Sequence, residues 1–234
     1  MDLTKAKALV TGGSSGIGLA TARALREKGA QVAICGRDAA RLREAAEGIG
    51  ALAIHADVAI EGDVVQMVRN VIATFGDYDV LINNAGFGTF ASLLDTDLGA
   101  MQRVYATNVF GAMLVARESA RHFVSQSRGN IVNVASTAGQ RGYAGGTMYS
   151  SSKFALSGLT ECWRAELRKH NIRVMQINPS EVQTDFVVSS GRPARPPSDR
   201  KLLAGDIAQT IVSMLELPDR GFIPETSVWA TNPD

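Results

Sequence analysis

The chain has 234 residues, a formal net charge of +1, and 45% hydrophobic against 20% charged residues. That is ordinary for a soluble globular protein with room for a sizeable core, and it argues against a broad basic surface for nucleic acid. No apolar run of membrane-spanning length and no signal-type N-terminus is visible, and the two isolated cysteines, Cys35 and Cys162, fit a reducing, cytoplasmic compartment better than a disulfide framework.

In chain order, residues 6–10 form an apolar run that reads as a buried strand. A glycine-rich turn follows at 12–18, then an apolar-periodic helix over 17–28 that Gly29 ends. Further strands are expected at 31–35, 51–54, 80–82, 131–134, 172–177 and 222–229, and helices at 39–47, 63–75, 98–124, 149–169 and 206–217. This β-α alternation predicts an α/β fold, a doubly wound and mostly parallel sheet with helices on both faces. No linker or repeat divides it, so one domain over 1–234 is expected. Residues 189–200 break the pattern with Pro193, Pro196, Pro197 and three arginines, and read as part of a substrate loop at about 186–204. His55, His122 and His170 are scattered without ligand spacing, so structural roles and no metal site are expected.

The first turn reads Gly12-Gly13-Ser14-Ser15-Gly16-Ile17-Gly18. Glycine lets a backbone turn tightly and approach a ligand, and a helix N-terminus offers unpaired N–H groups with a positive dipole end. The G-x-x-x-G-x-G spacing departs from the G-x-G-x-x-G fingerprint, yet the first βα turn of such a sheet is where dinucleotides bind. The second strand ends in Cys35-Gly36-Arg37-Asp38. Gly36 offers no carboxylate to a ribose 2′-hydroxyl and Arg37 suits a phosphate, which favours NADP(H) over NAD(H). Asp38 leaves two readings open, an N-cap for the following helix or a ligand of the same ribose.

Tyr149 and Lys153 lie at i and i+4 of an expected helix, so the phenol and the amine share a face. A free phenol titrates near ~10, and a neighbouring cation favours its phenolate, so Lys153 is expected to lower Tyr149 and equip it for proton transfer. Alone, this spacing is common on helix surfaces.

Other motifs supply the context. Thr11-Gly12-x-x-x-Gly16-Ile17-Gly18, Asp57-Val58, Asn83-Asn84-Ala85-Gly86, Asn108, Ser136, Tyr149-x-x-x-Lys153, and Asn178-Pro179 with Thr184 follow one another over residues 6–186. In that order they resemble the short-chain dehydrogenase/reductase family, in its single-domain branch. The resemblance implies a Rossmann-type sheet of about seven strands, a nicotinamide cofactor, and a small-molecule carbonyl or alcohol substrate. It also implies homodimers or homotetramers built through the helices beginning near Leu98 and Tyr149.

The implied catalytic set is Tyr149 as acid in reduction or base in oxidation, with Lys153 lowering the phenol and binding the nicotinamide ribose. Ser136 is implied to polarise the substrate oxygen, and Asn108 to hold a water joining Lys153 to a proton relay. For the cofactor, Gly12, Ser14, Ser15, Gly16, Ile17 and Gly18 are implied to cradle phosphate, with Arg37 and Ser14 toward the 2′-phosphate. Asp57 and Val58 are implied at the adenine, Asn84, Ala85 and Gly86 alongside the cofactor, and Pro179, Val182 and Thr184 over the nicotinamide.

Departures limit the substrate assignment. Ser180 stands where the family commonly has glycine, and Ser15 where some NADP-preferring relatives have Lys or Arg. The chain lacks the C-terminal Val-Asp-Gly-Gly segment usual in 3-oxoacyl carrier-protein reductases, so that activity, or 3-hydroxy acid dehydrogenation, ranks second. A non-enzymatic NADP-binding regulator is the rival from another class. Phe87, Phe90, Ala138, Tyr143, Met148, Phe186 and Val187 flank the catalytic positions and sketch an apolar pocket. Arg141, Arg192 and Arg195 read either as solvated loop residues or as partners of an acidic substrate.

Overall fold

Short apolar runs with side chains alternating between two sheet faces account for the architecture. In the computed structural model, residues 1–193, 196 and 198–232 are described, without the side chains of Val188 and Ser189; Arg195 and Pro197 of the proline-rich stretch lie outside the described residues. The strands are β1 (Lys7–Thr11), β2 (Gln31–Gly36), β3 (Leu52–His55), β4 (Val80–Asn83), β5 (Gly129–Val134), β6 (Ile172–Pro179), β7 (Val182–Gln183), β8 (Leu202–Leu203) and β9 (Glu225–Val228). Seven of them form one sheet in the order β3-β2-β1-β4-β5-β6-β9, with every pairing parallel. The helices are α1 (Gly16–Glu27), α2 (Ala39–Ile49), α3 (Glu61–Phe75), α4 (Leu98–Tyr105), α5 (Ala112–Gln126), α6 (Thr147–Leu167), α7 (Phe186–Ser189) and α8 (Ala204–Glu216).

Successive strand residues build two cores. Ala8, Val10, Val32 and Ile34 share one with Leu25 of α1 and Ile211 of α8, whereas Leu9, Ala33 and Leu81 share the other with Val64 of α3 and Val115 of α5. Each fully buried Leu, Ile or Val is worth roughly 1.5–3 kcal/mol relative to exposure. The strand order reverses between β1 and β4, which opens a crevice beyond their C-terminal ends.

The elements depart from the sequence reading most at three places. The helix expected over 98–124 is interrupted by a π-helical stretch at Ala106–Gly111. The buried Asn108 sits there with its side chain bonded to the Phe87 backbone, and wide turns of this kind are common at functional sites. The last strand begins only at Glu225 because Pro224 has no N–H for the ladder; its carbonyl instead accepts from Gln176 N at 3.0 Å. The small β7–β8 pair, not foreseen, closes the base of the proline-containing excursion, reinforced by Gln183 Nε2 donating to Ser198 O at 2.6 Å and Ser198 N donating to Gln183 Oε1 at 2.7 Å.

Candidate active site

The crevice is a cleft of about 1010 Å3. At one end lies the first glycine turn. Gly12 and Gly16 take φ of 63° and 53°, the left-handed region open to glycine. Gly18 lies beneath the turn, where a Cβ would overlap the Gly12 carbonyl oxygen. Ser15 precedes α1 in extended conformation and makes no capping bond through its side chain. Among the described residues the first N–H groups of α1, at the edge of the cleft, have no side-chain acceptor, the arrangement suited to a phosphate. The turn is held from below by the Asn84 segment: Asn84 Nδ2 donates to Thr11 O at 2.9 Å, and Thr11 Oγ1 accepts from the N–H groups of Asn84 and Ala85, each at 3.0 Å.

The neighbouring α2 supports the first reading of Asp38. Its Oδ1 accepts from the backbone N of Ala40 and Arg41, both at 3.1 Å, so the carboxylate caps the helix. Gly36 is crowded from above, since a Cβ there would lie 3.3 Å from Ser14 Oγ. Arg37 is largely exposed beside this end, its guanidinium 4.0 Å from the Asp57 carboxylate. Arg41 also lines the cleft and pairs with Asp185 on the opposite wall. The sequence reading missed Arg41; its signal is a second arginine four residues after Arg37, in the first turn of α2.

Toward the other end, Asn108 Oδ1 accepts from Phe87 N at 3.0 Å, while its Nδ2 donates to Phe87 O at 2.9 Å and to Ser152 Oγ at 3.1 Å. The Asn108 side chain is thus committed to protein groups, and it fixes the strand-to-loop segment against α6. A Cβ on Gly86 would stand 3.1 Å from Asn108 Oδ1 and 3.6 Å from Lys153 Nζ. Glycine there leaves room beside the buried amine for a ligand, which fits the cofactor that the motifs imply.

Lys153 Nζ donates to Val134 O at 2.9 Å and lies 5.8 Å from the Tyr149 ring centroid. Burial lowers its pKa to about 8, since an ammonium is poorly solvated inside the protein. The Tyr149 phenol is pushed up to about 12, chiefly by burial, with the nearby Ser136 hydroxyl opposing. This corrects the expectation that Lys153 lowers the phenol: in the protein alone, the low-polarity pocket disfavours the phenolate more than its neighbours favour it. At neutral pH the Tyr149 phenol is protonated.

All of the expected site residues line the cleft except Gly18, which supports the turn, and Asn108, which lies behind Lys153. Thr184 packs over the turn, its Cγ2 3.4 Å from where a Gly16 Cβ would be. Ser180 N donates to Val228 O at 2.9 Å, so this segment runs along β9 before crossing the cleft. Of the sketched apolar pocket, Met148 is a correction: it is buried against Ala100 and Val104, because the first turn of α6 directs it to α4. Phe90 and Phe186 flank Tyr149, with ring centroids 5.5 and 5.3 Å from its own. Trp229, exposed at the rim, was not anticipated as a lining residue. His55 and His122 have structural partners, the Arg37 carbonyl and the stacked Tyr78 ring, and no helix among the described residues is long and apolar enough to cross a membrane.

Residues 6–194 match the family model described as short chain dehydrogenase. The chain is 37% identical over 186 residues to an uncharacterized oxidoreductase of Bacillus subtilis, covering 76% of this chain and 52% of that one, so it spans about half that relative's length. It is 35% identical to a 3-oxoacyl-[acyl-carrier-protein] reductase of Bos taurus, covering 89% and 90% of the two chains. Among solved structures, an alcohol dehydrogenase of Thermococcus sibiricus complexed with 5-hydroxy-NADP superposes with TM-score 0.88 at 26% identity, covering 98% and 99%. A 3-ketoacyl-(acyl-carrier-protein) reductase of Brucella melitensis complexed with NADH gives 0.88 at 28%, covering 95% and 96%. A short chain dehydrogenase of Burkholderia cenocepacia in complex with NADP gives 0.87 at 30%, covering 97% and 98%. With the sheet order, the glycine turn and the Ser136–Tyr149–Lys153 cluster in agreement, the chain belongs to the short-chain dehydrogenase family of oxidoreductases.

Proposed function

We propose that this protein interconverts a ketone or aldehyde with its alcohol using NADP(H), within one catalytic domain. The observation that carries the reading is Tyr149, near enough to Ser136 for the hydroxyl to favour its phenolate and with the Lys153 amine 5.8 Å from its ring centroid, in the same cleft as an α1 N-terminus that Ser15 does not cap. When bound, the cofactor supplies or accepts the hydride. Ser136 orients the substrate oxygen, and Tyr149, protonated at neutral pH, gives that oxygen its proton in reduction. Lys153 holds the ribose hydroxyls and keeps the phenol oriented; Asn108 fixes the Phe87 backbone around both. Arg37 lies where a 2′-phosphate would be met, and the NADP and 5-hydroxy-NADP complexes of similar proteins support that preference, against the NADH complex of another.

The second reading, reduction of 3-oxoacyl groups on a carrier protein, is favoured by the Bos taurus and Brucella melitensis relatives. A cytoplasmic homodimer or homotetramer belongs to the same proposal; Leu98, Phe110 and Phe154 are exposed apolar residues on the helices expected to pair. The test is a screen of ketones, aldehydes and alcohols with NADPH and NADH, following oxidation or reduction of the nicotinamide. Turnover with NADPH preferred is expected. Tight NADPH binding with no turnover across the panel points instead to a regulator, and equal use of both cofactors removes the assigned role of Arg37.

A further inference from the structure

We infer that Arg192 forms an anion-recognising subsite at the substrate end of the cleft and directs the enzyme to carbonyl compounds bearing a carboxylate. The inference rests on the carbonyl–alcohol reading of the same site. The Arg192 guanidinium carbon lies 4.2 Å from the Phe90 ring centroid, and that ring lies 5.5 Å, centroid to centroid, from the Tyr149 ring. Phe90 therefore contacts both the cation and the residue proposed to handle the substrate oxygen. Arg192 is partly buried and tied down: its N donates to Val187 O at 3.2 Å and its Nε to Ser190 Oγ at 3.0 Å. These contacts orient the fork, and among the described residues none takes its two terminal nitrogens, which suit a planar, two-oxygen acceptor, the geometry arginine matches best.

The charges around the cleft point the same way. Among the described residues, the lining acids are already engaged: Asp185 with Arg41, Glu181 with Lys201, Asp57 beside Arg37, and Asp38 in its helix cap. Arg192 and Arg141 line the same cleft and are matched with no carboxylate among those residues. Arg192 also acts electrostatically on the Tyr149 and Tyr143 phenols, favouring their ionised forms, so its field reaches the reacting end. A cation held against apolar walls, where water screens it poorly, attracts an anion more strongly than a solvated one would. A neutral ketone leaves that cation without a counter-charge; an oxo acid supplies one.

The test compares matched pairs, 3-oxobutyrate and 4-oxopentanoate against their methyl esters, as substrates of the protein with NADPH. The same four compounds are titrated into the NADPH-loaded protein by calorimetry. Wild type is expected to favour the acids. Arg192→Met is expected to lower the acid-over-ester ratio in kcat/KM at least tenfold, and the acid-over-ester ratio in affinity likewise, with Arg192→Lys recovering part of each. High salt is expected to erode the preference in wild type and leave Arg192→Met unaffected. Equal or better use of the esters by wild type overturns the inference, as does a parallel fall for acids and esters in Arg192→Met, which marks a purely structural stack on Phe90. If no carbonyl turns over, the carbonyl–alcohol reading fails, and the calorimetric ratio still decides whether Arg192 selects carboxylates.

Discussion

The end of the cleft proposed to hold phosphate is built of main chain: an α1 N-terminus that Ser15 does not cap, reached over glycines. The end proposed to transfer the proton is built of side chains drawn from separate elements, Ser136 after β5 and Tyr149 and Lys153 on α6, with Asn108 bracing them. The two constructions fail in opposite ways. A main-chain site is broken by adding an atom, whereas a side-chain site is broken by removing one. They should therefore separate cofactor binding from chemistry.

The largest effect is expected for Tyr149→Phe. Removing one hydroxyl removes the proton donor, and turnover should fall by roughly 10³-fold, within the usual range for a lost general acid. NADPH affinity, measured by fluorescence titration, should stay within about threefold, since the hydroxyl adds no binding to the phosphate end. A loss of affinity as large as the loss of turnover would show that the two ends are not independent.

Gly18→Ala is the complementary break. The new Cβ meets the Gly12 carbonyl oxygen and Asn84 Nδ2. The turn must shift, at a cost of about 1–3 kcal/mol in stability, and NADPH affinity should weaken by about tenfold or more. Thermal unfolding with and without NADPH reads both quantities. Unchanged NADPH stabilisation would mean that the turn does not hold the phosphate.

Arg37→Asp sharpens the phosphate end alone. The guanidinium is mostly solvated, so its pairing is screened and a tenfold to hundredfold swing from NADPH toward NADH is the reasonable range. The ratio of the two Kd values measures it, and an unchanged ratio would leave the 2′-phosphate to other groups, Arg41 first.

Lys153 joins the ends, and its burial gives it a stability signature. In the unfolded chain it titrates near the ordinary lysine value of 10.5, and in the folded protein at about 8. Between those values the unfolded chain holds a proton that the folded one has lost, so stability rises with pH across that window and is lowest below it. Lys153→Met should abolish this rise. At pH 7 the variant should be more stable by on the order of 1–2 kcal/mol, the relief of desolvation less the lost bond to Val134 O. Denaturant melts at pH 7 and above the window check both. Turnover should be lost in the same variant, separating a residue kept for chemistry from one kept for stability.

How much of this was legible depended on the scale of the signal. The alternating apolar runs revealed the sheet, because burial on one face or the other repeats every second residue. The order of Gly12, Asn84, Ser136, Tyr149 and Lys153 revealed the cleft, because each lies at the end of a strand or the start of a helix. Three things were not legible. The π-helical turn at Asn108 depends on Phe87, distant in sequence. The direction of the Tyr149 shift depends on how much of the pocket excludes water, which spacing does not encode. The place of Arg192 depends on the path of a proline-containing segment that has no periodicity.

The smallest expected effect settles what Asp38 is for. It stands beside Arg37 at the strand end, where a carboxylate would otherwise contact a ribose hydroxyl, yet its Oδ1 accepts from Ala40 N and Arg41 N. A cap of this kind is worth about 1 kcal/mol. Asp38→Ala should therefore lower stability by about that amount in denaturant melts, and Asp38→Asn, which keeps the acceptor, should recover most of it. If the carboxylate serves only the helix, NADH affinity stays unchanged in both variants. If it also serves the ribose, NADH affinity falls in both while stability falls in only one. The two variants together distinguish a helix end closed by its own side chain from one left open for a ligand, which is the difference between α2 and α1.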